Sequence, residues 1–232
     1  MLTVDKLAVA YPDHTRALDG ISFHIGEGEN VALIGANGAG KTTLLLALVG
    51  VLTSAAGSVE VDGIMLDKRT LEQVRSRIGM VFQNPDDQLF MPRIYDDIAF
   101  GPRSFGADEE EVSRRVNEAL SALHIEHLME RSPLKLSGGE KRAAAIATVL
   151  AMRPAVMLFD EPTAFLDPRA RRSLMGLMGT LPHTKLIATH DLRFAAETCG
   201  RAIVLKDGKL AADGDIHALL SDVKLMDECA LV

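Results

Sequence analysis

Gly35-Ala36-Asn37-Gly38-Ala39-Gly40-Lys41-Thr42 combines the residue types that hold phosphate, at the spacing Gly-xxxx-Gly-Lys-Thr. Glycines let a backbone wrap closely around phosphate oxygens, and a helix starting at the lysine adds unpaired N–H donors and partial positive charge. Lys41 is placed to reach β- and γ-phosphates, and Thr42 to ligate Mg²⁺. A second run, Val156-Met157-Leu158-Phe159, delivers two carboxylates, Asp160 and Glu161. Open α/β sheets bind ligands at the C-terminal ends of their strands. Two acids there divide the labour: Asp160 to hold Mg²⁺ through its water shell, Glu161 to polarise an attacking water. A third run, Leu136-Ser137-Gly138-Gly139-Glu140, puts a good N-cap and exposed N–H groups at a helix start before Lys141 to Met152. Alone it reads as an ordinary capped helix. Its place decides otherwise, because Glu140 precedes Val156 by 16 positions.

These residues need elements to position them. Leu2 to Val9 and Ile21 to Ile25 alternate like strands, with a turn signal at Tyr11-Pro12-Asp13. Val31 to Ile34 is a short apolar run, the mark of a strand buried on both faces, and the glycine-rich loop follows it directly. Asp62-Gly63 joins Ser58–Val61 to Ile64–Leu66 as a hairpin, and Asp207-Gly208 marks another. Thr70 is a candidate cap for a helix over 71–77, and Ile78 to Val81 reads as a strand. Apolar runs at Val156–Phe159, Leu186–Ala188 and Ala202–Leu205, separated by helices such as 168–178, predict a mainly parallel sheet with helices on both faces. Residues 84–143 break that rhythm with Pro85, Pro92, Pro102 and a charged helix over 107–123. The expectation is a single α/β domain over 1–232, with a core at 1–83 and 144–232, a small antiparallel part, and a helical subdomain at 84–143. Thr42 to Val59 carries no charge, but Gly50 and the polar tail at Thr53, Ser54 and Gly57 argue for a buried helix and turn rather than a membrane span.

Composition narrows the function. The chain has 232 residues, with 25 Lys plus Arg against 32 Asp plus Glu, a net charge of −7. That balance argues against a nucleic-acid partner, which would require a basic stripe. Two distant cysteines, Cys199 and Cys229, show no disulfide or metal-ligand spacing.

Taken together, the chain resembles the ATP-binding cassette (ABC) family of P-loop ATPases over nearly its whole length. The loop at 35–42 resembles its Walker A motif, 156–161 its Walker B motif and 136–140 its signature. Gln83 resembles the Q-loop glutamine, Ala164-Phe165-Leu166-Asp167 the D-loop, His190 the switch histidine, and Tyr11 the aromatic that stacks on adenine. The resemblance implies an ATPase with ATP and Mg²⁺ as ligands. ATP would be held by Tyr11, Gly35, Asn37, Gly38, Ala39, Gly40, Lys41, Thr42 and Thr43. Mg²⁺ would be held by Thr42, Gln83 and Asp160. Lys41, Gln83, Glu161 and His190 would serve hydrolysis. It also implies a head-to-tail dimer in which Ser137, Gly139 and Asp167 reach a nucleotide bound by the second cassette chain. The signature departs from the family in Glu140, where glutamine is commoner, and the D-loop in Ala164-Phe165.

Val81-Phe82-Gln83-Asn84-Pro85-Asp86-Asp87-Gln88-Leu89-Phe90 and Asp96-Asp97-Ile98-Ala99-Phe100-Gly101-Pro102 are similar to the ATPase subunits of energy-coupling factor importers, the cobalt or nickel type first and the biotin type close behind. This implies a peripheral protein on the cytoplasmic face of the membrane, with 84–102 docked on an integral membrane subunit. Other ABC transporters, and soluble cassette proteins with two cassettes or a coiled coil, fit these segments less well. His124-Ile125-Glu126-His127 reads as a solvated helix end rather than a metal site.

Overall fold

The computed structural model describes residues 1–11 and 15–231. Pro12 and Asp13 of the expected turn lie outside the described residues. The chain divides into two compact units. The first comprises 1–80, 155–161 and 182–232, the second 81–154 and 162–181.

In the first unit, β1 (Leu2–Ala10), β2 (Arg16–Ile25), β4 (Ala56–Val61) and β5 (Ile64–Met65) form an antiparallel sheet in the order β2-β1-β4-β5. The second sheet has the order β10-β9-β3-β8-β7-β6, from β3 (Asn30–Ile34), β6 (Ile78–Val81), β7 (Val156–Asp160), β8 (Thr184–Thr189), β9 (Arg201–Lys206) and β10 (Lys209–Asp215). β3 pairs in parallel with β8 and β9, and β7 with β8, while β10 returns antiparallel on β9. Both predicted hairpins form, and Asp62 (φ 50°), Gly63 (φ 79°), Asp207 (φ 48°) and Gly208 (φ 73°) all take the left-handed conformation of a type I′ turn.

The uncharged stretch after Thr42 resolves as α1 (Lys41–Leu48), a left-handed turn at Gly50 (φ 66°), and then β4. Leu44, Leu45 and Leu48 of α1 are fully buried in one core with Val4 and Ile21 of one sheet and Leu33 and Leu186 of the other. Burial of each leucine contributes about 1.5–3 kcal/mol. Among the described residues, no helix is long and apolar enough to cross a membrane. α2 (Leu71–Arg77) starts at Thr70 as expected, but Thr70 makes no side-chain cap bond. Its hydroxyl instead donates to Met65 O (2.5 Å) and accepts from Asp67 N (3.0 Å), closing the preceding turn.

The second unit is helical: a 3-10 turn at Pro85–Asp87, α3 (Ile94–Ser104), α4 (Glu109–Ala122), α5 (Gly138–Leu150) and α6 (Pro168–Thr180). It extends beyond the segment 84–143 because α3 and α4 pack on α5, and α5 on α6. Asp108 caps α4, and Val112, Val116, Leu120 and Leu123 are all buried. α7 (Leu192–Thr198), α8 (Ile216–Ser221) and α9 (Val223–Glu228) complete the first unit, where Cys199 and Cys229 are buried thiols.

Candidate active site

Parallel pairing brings three strand ends together. Ile34 at the end of β3 is level with Thr189 of β8, and Ala188 is level with Asp160 of β7. The glycine loop, His190 and the acid pair therefore leave the sheet side by side.

The loop is shaped for a tight turn. A Cβ on Gly35 would lie 2.7 Å from Leu205 O and 2.9 Å from Ala39 Cβ. Gly38 (φ 83°) and Gly40 (φ 105°) take conformations that favour glycine. The type I′ turn at 207–208 braces the loop, since Gly208 N donates to Ala39 O (3.1 Å). α1 begins with no side-chain cap bond and carries no acid of its own in its first turn. Lys41, 7% exposed, donates from Nζ to Gly35 O (2.7 Å) and Ala36 O (3.2 Å) and sits 3.8 Å from Glu161 Oε1. Asn37, Gly38, Ala39 and Gly40 belong to this same turn. These features form a cradle for an anion of phosphate size.

Thr42 Oγ1 donates to Asp160 Oδ1 at 3.2 Å, and Asp160 is buried. A hydroxyl and a carboxylate are hard oxygen donors, which suit Mg²⁺ completed by phosphate and water. Among the described residues, no three His, Cys, Asp or Glu side chains form a metal cluster. Mg²⁺ takes only one or two ligands from protein when phosphate and water supply the rest, and Thr42 with Asp160 fits that share.

Glu161 stands at φ 44°, directly after β7, with its N–H bonded to Ala188 O (2.8 Å). Its Oε2 accepts from Thr189 Oγ1 (3.2 Å) and His190 N (3.2 Å), and His190 Nδ1 lies 2.9 Å away. The carboxylate is buried, whereas the imidazole is 66% exposed. Tyr11 Oη is 2.8 Å from Thr43 Oγ1. The ring is 40% exposed beside the start of α1. Thr189 was not anticipated from the sequence. Its only sequence signal is its place directly before His190.

The remaining expected residues lie on the helical unit. Ser137 caps α5 in a capping box with Glu140. Ser137 N and Oγ donate to Glu140 Oε2 (2.8 and 2.7 Å), and Glu140 N returns to Ser137 Oγ (3.4 Å). The Ser137 hydroxyl, followed by its N–H, holds the Glu140 carboxyl below its usual range. Gly139 is small because α6 is close, with a Cβ there meeting Ala170 Cβ at 3.0 Å. Asp167 caps α6, accepting from Ala170 N and Arg169 N (2.8 Å each), and these bonds lower its carboxyl pKa. The helical unit holds a cleft of 480 Å³ that gathers Gln83 and Asn84, Leu136 and Gly138, and Phe165. Phe165 takes φ 64° and is 82% exposed. Within 84–102, buried Asp97 accepts from Phe90 N (2.9 Å) and Met91 N (3.0 Å), and burial pushes its carboxyl up. Phe90 and Phe100 meet edge to face at 5.3 Å, and both are exposed. His124 and His127 are both exposed, in keeping with a solvated helix end.

The sequence model of the ABC transporter family matches residues 18–164, more than half of the chain. The chain belongs to this family. A protein of Geobacter sulfurreducens, provisionally named as an ABC transporter ATP-binding protein, is 50% identical over 231 residues, covering 100% of this cassette and 93% of the relative. Energy-coupling factor transporter ATP-binding protein EcfA of Carboxydothermus hydrogenoformans is 42% identical over 231 residues, covering 98% and 85%. Among solved structures, cbiO1 from Clostridium perfringens, described as part of the ABC transporter complex cbiONQ, superposes with a TM-score of 0.86 at 36% identity, covering 99% of this cassette and 94% of that chain. The ATP-binding cassette MJ0796, solved as a dimer in a post-hydrolysis state with ADP and Pi, gives a TM-score of 0.81 at 28% identity, covering 93% and 99%. The α/β ABC fold expected from the sequence is the fold observed. The cassette binds ATP and hydrolyses it, as an ATPase of the ABC transporter family.

Proposed function

We propose that this cassette energises an importer of the energy-coupling factor type that carries a transition-metal ion, cobalt or nickel. The observation that carries the transport reading is its likeness, across 99% of its length, to cbiO1 of the cbiONQ complex. An importer of a biotin-like vitamin is the second reading, kept open because the name of the EcfA relative specifies no cargo.

We assign the chemistry residue by residue. The glycine loop and α1 bind the phosphates, with Lys41 on the β- and γ-groups and Tyr11 against the base. Thr42 and Asp160 would hold Mg²⁺, which when bound would neutralise phosphate charge, and the family resemblance implies a metal-ligand role for Gln83. Glu161 takes a proton from the attacking water. His190, through its contact with Glu161, orients that carboxylate and reaches toward the γ-phosphate. Catalysis is then mainly positioning and charge stabilisation.

The working unit is a dimer, as in the MJ0796 structure. We assign a head-to-tail homodimer in which Ser137, Gly139 and Asp167 serve the nucleotide of the other chain. The cassette sits on the cytoplasmic face of the membrane, and 84–102 docks an integral membrane subunit through Phe90 and Phe100. The test is purification from membranes in mild detergent, identification of the proteins retained, and uptake of labelled cobalt, nickel and biotin. Retained membrane subunits and cassette-dependent metal uptake are expected. Biotin uptake alone would select the second reading, and uptake of none of the three would remove both. Polar substitution of Phe90 and Phe100 is expected to lower uptake much more than ATPase rate, and unchanged uptake would refute the docking assignment.

A further inference from the structure

The chain leaves β6 at Val81, and Phe82 and Gln83 no longer have a neighbouring strand to satisfy their backbone groups. Buried backbone polar groups need partners. Here α5 and Gln88 supply them. Arg142, 2% exposed, donates from Nη1 to Phe82 O and from Nη2 to Gln83 O, both at 2.6 Å. Phe82 N donates to Gln88 Oε1 (3.1 Å). The amide of Gln88 then turns back to α5, donating from Nε2 to Ala145 O (2.9 Å) and Thr148 Oγ1 (2.8 Å). At the surface, Lys141 Nζ reaches Asp86 at 2.6 Å. Thus the segment 82–88 is tied to α5 at Lys141, Arg142, Ala145 and Thr148.

The inner ties differ in kind from the outer one. A buried guanidinium bonded to two carbonyls has a fixed fork geometry that no rotamer change preserves. Gln88 uses both ends of its amide: its Nε2 ties to α5 are part-buried, whereas its Oε1 tie to Phe82 N is exposed, so the cost of breaking the contact falls mainly on the α5 side. The exposed Lys141–Asp86 pair adds little by itself. The other end of this connection is the first turn of α5. That helix runs from Gly138 to Leu150, so Ser137 and Gly139 share one rigid rod with Arg142 and Thr148. Gln88 lies inside the segment assigned to docking.

We propose that Arg142 and Gln88 are positioning residues. They fasten the backbone at Phe82 and Gln83 to α5, so that displacement of the 84–102 segment carries Ser137 and Gly139 with it. This rests on the reading that Ser137 and Gly139 serve ATP hydrolysis.

The test uses the isolated chain with ATP and Mg²⁺. Hydrogen–deuterium exchange is followed in peptides covering 35–45, 82–90 and 137–145 of Arg142→Gln, Arg142→Lys and Gln88→Glu, with steady-state ATPase measured in parallel. Arg142→Gln and Gln88→Glu are expected to speed exchange at 82–90 and at 137–145 together, by about tenfold, with 35–45 unchanged. In both, kcat falls about ten- to a hundredfold while KM for ATP holds. Arg142→Lys, which keeps a charge-assisted bond to a carbonyl, restores part of both losses. Exchange that rises at only one of the two peptides, or equally at all three, overturns the proposal. So does a normal kcat in the fastening variants when Ser137→Ala lowers it. If Ser137→Ala itself leaves kcat intact, the reading of the signature fails instead, and the positioning role falls with it. Should Arg142→Gln not fold, Gln88→Glu, which keeps the acceptor for Phe82 N, supplies the same comparison.

Discussion

His190 Nδ1 lies 2.9 Å from Oε2 of Glu161, although the two residues follow different strands and differ sharply in exposure. β8 and β7 run parallel with Ala188 level with Asp160, so the residues just past those positions emerge as neighbours. Glu161 has its other oxygen toward Lys41, at 3.8 Å. One carboxylate therefore connects the phosphate loop to the end of β8.

This placement makes Glu161→Gln the most direct test of hydrolysis. The amide keeps an acceptor for His190 N but cannot take a proton. Loss of a general base costs about 10²–10⁴-fold in rate. Phosphate release should fall by that range while ATP binding persists. The variant should also accumulate as an ATP-bound dimer in size-exclusion chromatography with light scattering. Near-normal turnover would remove Glu161 from the chemistry.

Gly35→Ala tests the shape of the loop rather than its charge. Its Cβ would meet the Leu205 carbonyl at 2.7 Å, and backbone cannot yield as a flexible side chain would. Overpacking of this kind costs about 1–3 kcal/mol. Urea unfolding should register that loss, and fluorescent-ATP titration should show weakened binding. A variant with parental stability and affinity would mean that the loop relaxes freely.

Glu140 offers a pH test. Its carboxyl is held below the usual range by the Ser137 hydroxyl and N–H. A group with a lowered folded pKa stabilises above its unfolded value, and that contribution is lost as pH falls through the folded one. Glu140→Ala should therefore be less stable than the parent at pH 7, by about 0.5–2 kcal/mol for a broken cap. The gap should narrow in acid. Glu140→Gln retains a capping box and should stay within about 0.5 kcal/mol of the parent. Unfolding curves at neutral and acidic pH decide this, and a gap that widens in acid would contradict it.

Much of this molecule was legible in one dimension. Val31–Ile34, Val156–Phe159 and Ala202–Leu205 are apolar without alternation because both sheet faces are covered, and each is a central strand. Asp62-Gly63 and Asp207-Gly208 specify turns through local backbone preference alone. Ser137 with Glu140 three residues on forms the cap its spacing suggests. Thr70 has the right residue type at a helix start, yet its hydroxyl serves a turn formed with Asp67 and Met65. A cap depends on which local partner wins, and residue type does not decide that.

The glycine loop, the acid pair and the order of motifs are local in sequence, because a strand end or helix start needs only a few adjacent residues. They determined the family and the kind of chemistry. Arg142 and Gln88 gave no such signal: a buried arginine and a surface-looking glutamine acquire meaning only from carbonyls some 60 positions away. The same holds for the contact of Glu161 with His190 and Thr189. Those distances follow from parallel strand register and helix packing, which are set by the whole core and not by any one segment.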